Sequence, residues 1–476
     1  MAARVLASDL TIPNIFGLLI RSRLVGVEQA RALMERWEKE SAGKTVNLRD
    51  FATYLVEQRH VTEYQAGLLL RGFAEGFFVG PYRILDRLGS GKMAGVYRAQ
   101  HELGQVFALK VLPPSSSKDP KLLARFQRES SIAIQLNHPN VVRGFQLGEC
   151  DGLYYLAMEY LSGETLKSVL KKGKMIPGEA ARVAYQVLRG LQHLHEKGLV
   201  HRDIKPENLM LVNRASESLK IDPGKATVKI LDIGLGRTTA ADCDDPLEQV
   251  TETGVLVGTP DYMAPEQARN SKTVGIRGDI YSAGCVLYHM LTGHPPFPDS
   301  SLLNQMIRHA TEQAKPPHEI NPAVPVGLGQ LTIKLMEKKP EDRFPDPISA
   351  CKLLLPFVSG DIDSLVTPES DAKMNPYFTW LENEKKQTIV KISKDKNQPV
   401  MNKNLDALLE PGEGFIENSN NKENLSDPDR PYTDIQPKEG VSRRELSFFI
   451  VGTISGAIAT AAGCYWGLKK NQDPAK

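Results

Sequence analysis

The chain has 476 residues, 41% hydrophobic and 24% charged, enough for a substantial core and, at roughly 150 residues per domain, about three units. Its 59 Lys and Arg against 57 Asp and Glu leave a net charge of +2, which argues against coating nucleic acid or anionic lipid as its main role. Five cysteines, at 150, 243, 285, 351 and 464, form no CxxC pair; a disulfide scaffold and a Cys-rich zinc site are excluded and a reducing compartment is favoured.

From the start of the chain, residues 12–20 are apolar but interrupted by Pro13 and Asn14 and lack a small-residue cleavage pattern. They read as a packed helix rather than a signal peptide. Helical periodicity follows at Ala30, Leu33, Met34 and Trp37, then at Leu48, Phe51, Ala52, Leu55 and Val56, then at Ala66, Leu69, Leu70 and Phe73. Thr62 and Gln65 have capping-box spacing ahead of the last set. Residues 1–78 are therefore expected to be a helical module whose apolar faces pack on one another or on a partner. No chemistry is evident in it.

Residues 80–358 read as the main domain. Short strand-like runs come first, at 82–88, 96–99, 106–111 and 154–159; longer helical patterns follow, at 180–195, 279–291 and 328–337. That order predicts an α+β fold with strands and helices segregated into two lobes. From 359 to 445 the chain turns polar and is expected to be a mostly disordered tether, with 378–380 and 389–400 as short candidates for order. Residues 446–468 are 23 uncharged residues between Arg443-Arg444-Glu445 and Lys469-Lys470. As a helix they would reach about 35 Å, enough to cross a membrane. A mean hydropathy of −0.30 excludes a polytopic transporter but not this single span. The alternative is a buried core helix. Gly452 and Gly456, and Gly463 and Gly467, have GxxxG spacing, which permits close approach of a second span and hence a homodimer. Residues 469–476 would form a short exterior tail.

The chemistry is concentrated in three stretches. Leu88, Gly89, Gly91, Ala94, Gly95 and Val96 form a glycine-rich turn between two strands. Such a turn lets backbone N–H groups approach phosphates. A P-loop or a dinucleotide fingerprint would lead into a helix instead. Ala108 and Lys110 end an apolar strand 14 residues beyond Val96, a distance that suits a lysine reaching phosphates held by the turn. In the helical run 122–136, Glu129 could hold that lysine. The third stretch, His201-Arg202-Asp203-Ile204-Lys205-Pro206-Glu207-Asn208, is followed by Leu231-Asp232 and by a segment ending at Glu266. Asp203 can take or orient a hydroxyl proton and Lys205 can neutralise a transferring phosphoryl group. Asn208 and Asp232 supply hard oxygens for Mg²⁺.

This order and spacing resembles the eukaryotic-like serine/threonine protein kinases, in the membrane-anchored form found in bacteria. The resemblance covers about 82–358 and implies a two-lobed fold, MgATP as cosubstrate and protein Ser/Thr hydroxyls as acceptors. It implies Asp203 as base, Lys205 as γ-phosphate contact, Asn208 and Asp232 as Mg²⁺ ligands, and Lys110 with Glu129 as the strand–helix ion pair. Leu88, Gly89, Gly91, Val96 and Ala108 would cover the nucleotide. Met158, Glu159 and Leu161 would form the adenine hinge, with Met158 as gate. Glu266 and Arg343 would make the large-lobe ion pair, and Asp279 would anchor the catalytic loop.

Three departures stand out: Ala94 replaces a glycine, Ile233 follows Asp232 where the family carries Phe, and Asn208 and Asp232 are 24 residues apart. The excess, 214–226, is expected to be an exposed hairpin extension. Thr251 and Thr253 resemble autophosphorylation sites, and Arg202 is the type of cation a phosphate there would order. Access to ATP requires residues 1–443 on the cytoplasmic side of a single-pass protein. The competing class is a kinase-like membrane scaffold, catalytically weak or inactive.

Overall fold

The computed structural model describes residues 11–43, 45, 47–90, 94–213, 222–232, 260–269, 274–360 and 374–394. Helices α1 (Ile12–Arg21), α2 (Val27–Ser41), α3 (Leu48–Glu57) and α4 (Glu63–Leu69) form the N-terminal module. Capping boxes at Asn47/Asp50 and Thr62/Gln65 start α3 and α4 by satisfying N–H groups that have no intrahelical acceptor. Trp37 lies 5.4 Å from the ring of Phe51 and 5.2 Å from that of Tyr54. Leu19, Ala30, Phe51 and Leu55 are fully buried. Phe73 lies beyond the end of α4, and Leu68 is buried in the helix instead.

Helix α4 is tied to the sheet that follows it in the same chain. Thr62 Oγ1 donates to the Leu85 carbonyl at 2.5 Å and Gln65 Nε2 to the Ile84 carbonyl at 2.6 Å. Both acceptors lie on β2 (Tyr82–Ser90), where the register skips from Ile84 to Asp86. That bulge leaves Leu85 without a ladder partner on the neighbouring strand, so its carbonyl can be capped from α4.

The small lobe is a six-stranded antiparallel sheet in the order β1 (Phe78–Val79), β2, β3 (Gly95–His101), β4 (Val106–Val111), β6 (Leu153–Glu159), β5 (Gly144–Cys150). Helices α5 (Pro114–Ser117) and α6 (Pro120–Gln135) link β4 to β5. At Gly144 a side chain would meet the Ala133 backbone at 2.9 Å, so the close approach of α6 to β5 requires glycine there. The large lobe contains the sheet β7 (Gly163–Thr165), β8 (Leu209–Val212), β9 (Thr227–Ile230), with α7 (Leu166–Leu170), α8 (Pro177–Glu196), α9 (Pro265–Arg269) and α10 (Ile276–Thr292). It continues through α11 (Leu302–Thr311), α12 (Pro317–Ile320), α13 (Val326–Leu335) and α14 (Pro347–Leu354). Val183, Val187 and Leu191 of α8, Ile280, Leu287 and Leu291 of α10, Leu335 and Leu354 share one apolar core. These elements fit the expected α+β, two-lobed fold.

Two expectations are revised. The extension begins after β8, and residues 214–221 lie outside those described. It joins the antiparallel partners β8 and β9, with Asp222 and Lys225 exposed, but its last residue is not: Ala226 is fully buried and its carbonyl accepts from Gln186 Nε2 at 3.1 Å. The stretch expected as a mostly disordered tether contains helix α15 (Asn375–Lys394), with Tyr377 fully buried against the small lobe. Among the described residues no helix is long and apolar enough to cross a membrane. Residues 395–476, which include the 446–468 segment, lie outside those described.

Two histidines make the fold acid-labile. Half-buried His138, stacked on His193 at 5.1 Å, is pulled down to about 4 by burial and then by its cationic neighbours. Buried His309 is pulled down to about 3 by burial and then by Lys338. Both values lie below that of an unfolded histidine, about 6.5, so the unfolded chain takes up protons first. Stability is full above pH 6.5 and declines toward pH 4. Thermal melts should show a lower midpoint at pH 5 than at pH 7.5, with a smaller drop in His138→Gln; identical midpoints would contradict this.

Candidate active site

The loop between α8 and β8 hangs on one buried carboxylate. Asp279, in the first turn of α10, is fully buried. It accepts the backbone N–H of His201 at 2.8 Å and of Arg202 at 2.7 Å, and His195 Nε2 donates to it at 3.1 Å. This grip holds Arg202 at φ +63°, a left-handed conformation costing a non-glycine residue on the order of 1 kcal/mol. The turn aims the next residue, Asp203, outward. His201 Nδ1 accepts the Asp203 N–H at 3.2 Å while Nε2 faces the Leu231 carbonyl at 3.0 Å. A carbonyl only accepts, so the ring proton is on Nε2. His201 therefore ties the loop to the residue before Asp232.

Asp203, Lys205 and Asn208 form one cluster. Lys205 Nζ lies 2.9 and 2.7 Å from the two Asp203 carboxylate oxygens. Asn208 Nδ2 donates to the Asp203 carbonyl at 2.8 Å and to its Oδ2 at 2.9 Å. With both amide protons committed, its side-chain oxygen is the atom left for a cation. The Asn208 carbonyl accepts the Leu231 N–H at 2.8 Å, which brings Asp232 alongside.

Lys110 contacts two carboxylates, Asp232 at 3.2 Å and Glu129 at 3.8 Å. Burial pulls its pKa down, but Asp232 and then Glu129 outweigh this and leave it raised. The ammonium is held charged. Arg125 Nε, 3.2 Å from Glu129, braces the α6 side of the pair.

The sheet register explains the roof of the cleft. Val96 lies opposite Lys110, Ala108 opposite Met158, and Lys110 opposite Leu156. Directly opposed residues share a face and alternate residues return to it. Val96, Ala108, Lys110, Leu156 and Met158 therefore line one side, facing the Asp203 loop. Leu88, in a second bulge of β2, is half exposed beside Gly89. Gly91 lies outside the described residues, as do Ile233, Thr251 and Thr253. At the hinge, Leu161 is half-buried. The Glu159 carboxylate is engaged within the protein: it accepts from Lys229 Nζ at 2.8 and 2.9 Å and from the Arg143 N–H at 2.7 Å.

The far side of the site is locked by Arg343, whose side chain has no exposure. Its guanidinium binds Glu266 bidentately at 2.6 and 2.8 Å and donates to the carbonyls of Arg277, Glu337 and Lys338. Gln267 Nε2 donates to the Arg202 carbonyl at 2.9 Å, tying α9 to the 201–208 loop. Lys229 and Gln267 were not anticipated from sequence. The only hint of Lys229 is a cation between the apolar Val228 and Ile230. A concavity of about 340 Å³ at the β1–β2 edge, lined by Phe78 and Arg83, contains none of these groups.

The donor set suits a magnesium-bound triphosphate: two hard oxygen donors, Asn208 and Asp232, flanked by the ammonium groups of Lys110 and Lys205. Residues 82–353 match the family model described as protein kinase domain. Serine/threonine-protein kinase pkn3 of Myxococcus xanthus is 37% identical over 267 residues, covering 55% of this chain and 47% of that one. Serine/threonine-protein kinase PknB of Mycobacterium leprae is 35% identical over 269 residues, covering 55% and 40%. The chain thus matches less than half the length of these curated relatives. The crystal structure of the Mycobacterium tuberculosis PknI kinase domain aligns with 60% of this chain and all of that chain, at 25% identity and a TM-score of 0.45.

Arg343→Met would remove the bidentate partner of Glu266 and one hydrogen bond to each of the Arg277, Glu337 and Lys338 carbonyls. Urea unfolding should show a loss of about 3–5 kcal/mol; a loss under about 1 kcal/mol would mean the pair holds nothing.

Proposed function

The chain belongs to the protein kinase domain family over residues 82–353, and on that premise we propose that it transfers the γ-phosphate of MgATP to Ser or Thr hydroxyls of protein substrates, its own activation segment included, in bacterial signalling. The observation that carries this reading is the convergence of Asp203, Lys205 and Asn208 in one hydrogen-bonded loop beneath the Lys110–Asp232 pair.

Adenine would lie under Val96 and Ala108 against the backbone of Glu159 to Leu161, with Leu88, Gly89 and Gly91 closing over the phosphates. Met158 sets the depth of that slot. Lys110, kept charged and held by Glu129, would orient phosphate oxygens. Mg²⁺ held by Asn208 and Asp232 would neutralise charge on the phosphates as the terminal group leaves. Asp203 orients the attacking hydroxyl and takes its proton. Lys205 Nζ, 2.7 Å from the Asp203 carboxylate, would neutralise charge on the transferring phosphoryl group. Lys205 at this position also supports Ser/Thr rather than Tyr as acceptor.

The uncharged 446–468 segment supports a single span that anchors the protein to the cytoplasmic membrane, with the kinase domain facing the cytoplasm. Its GxxxG spacing supports pairing of two copies.

With the full chain and labelled MgATP, phosphate incorporation into Ser and Thr is expected. It should fall about 10²–10⁴-fold in Asp203→Asn with nucleotide binding retained, and vanish in Asp232→Asn. Wild-type protein that binds nucleotide but incorporates none would establish the scaffold reading instead. Protease added to intact spheroplasts should leave residues 80–358 uncut; their digestion would reverse the topology.

A further inference from the structure

The sheet that roofs the cleft has a second face, and this chain covers it with its own helix α15. Tyr377 and Trp380 pack there. The Tyr377 ring is 4.6 Å from Phe107 and 5.2 Å from His101, and Trp380 is 4.4 Å from His101. The Tyr377 hydroxyl lies 2.8 Å from that of Tyr82 and 3.3 Å from Gln146 Oε1, so its polar end is satisfied inside the contact. This helix begins 22 residues beyond the last one matched by the family model, so it is an addition to the domain.

Two of its contacts converge on the hinge. Phe107, under Tyr377, is the register partner of Glu159. Phe378 lies under the Arg143 guanidinium at 5.3 Å, and Phe145 is at the same distance. Arg143 in turn exchanges two hydrogen bonds with Glu159: its N–H donates to Oε1 at 2.7 Å and its carbonyl accepts the Glu159 N–H at 3.0 Å. From the large lobe, Lys229 of β9 completes the grip on the same carboxylate. Glu159 is thus held by Arg143, which α15 braces, and by Lys229, which α15 does not touch through these contacts.

We propose that α15 is a positioning element for the nucleotide site: by bracing Arg143 through Phe378 it fixes the Glu159 backbone in the conformation that receives adenine. The inference rests on the kinase reading, since it requires adenine at the hinge. Bracing acts on a binding surface and not on Asp203 or Lys205, so its loss should weaken nucleotide binding and leave the chemical step alone. A helix that only covered apolar surface would contribute to stability with no such selectivity.

The test uses the full chain, with the affinity of magnesium and a non-hydrolysable ATP analogue read by calorimetry. KM and kcat for ATP, hydrogen exchange at 143–145 and 157–161 without nucleotide, and the thermal midpoint are read in parallel. Phe378→Ala should raise Kd and KM about three- to tenfold, the loss of one partly desolvated cation–π contact, with kcat within about twofold and faster exchange at the hinge. Phe378→Trp, which keeps a ring under Arg143, should restore affinity. Phe378→Leu keeps apolar volume without the ring and should behave like Phe378→Ala, which covers the case in which the alanine variant fails to fold. A lowered thermal midpoint with unchanged Kd in Phe378→Leu would overturn the proposal and leave α15 a structural cover. Wild-type protein that binds no analogue would overturn the kinase reading, and this inference with it.

Discussion

Asp279 is the constraint on which the geometry of the 201–208 loop depends. A carboxylate with no solvent exposure is expensive to bury unless its oxygens are fully hydrogen-bonded, and here the donors are two consecutive backbone N–H groups of the catalytic loop and one histidine. The bonds act in both directions. They satisfy the charge, and they hold Arg202 in a left-handed turn that free chain would leave. The anchor itself is fixed, because α10 packs with α8 in the apolar core of the large lobe. The orientation of Asp203, the His201 bridge to Leu231 and the placement of Asp232 all follow from that turn.

The small lobe solves a different problem. Its sheet turns one face toward the cleft and must bury the other. Lys110 satisfies the first requirement by pairing with Asp232 and Glu129, which outweighs the effect of burial on its ammonium group. The second is met by segments outside the region matched by the family model: α4 caps the bulge of β2, and α15 covers Tyr82, His101 and Phe107. The small lobe of this chain is therefore built from three stretches of sequence, and the hinge is fastened from behind as well as from the large lobe.

Local signals made much of this legible. Alternating apolar strands, the capping box at Thr62 and Gln65, and the 201–208 spacing all encode their structure within a few residues. Asp203, Lys205 and Asn208 meet because they lie in one loop, and Lys110 and Glu129 because a strand and helix are joined by a short connection. Pairs joined only by folding were not legible. Lys229 and Glu159 are 70 residues apart, and nothing near either names the other. In α15 three aromatic residues stand in a polar stretch, and their weight depends on Phe107, 270 residues before Tyr377, and on His101. The dual use of Thr62 and Gln65, as helix cap and as donors to β2, was hidden because a capping box looks complete by itself.

The central claim is that the loop suspended from Asp279 carries out phosphoryl transfer, and Asp279→Asn tests it most directly. The substitution keeps shape but turns one acceptor into a donor that faces a backbone N–H, at a cost of about 1–3 kcal/mol. With full-length protein and labelled MgATP, transfer should fall at least about tenfold, while affinity for a non-hydrolysable MgATP analogue stays within about twofold. Transfer at the wild-type rate in a folded Asp279→Asn protein would show that the loop does not depend on this anchor and would contradict the account.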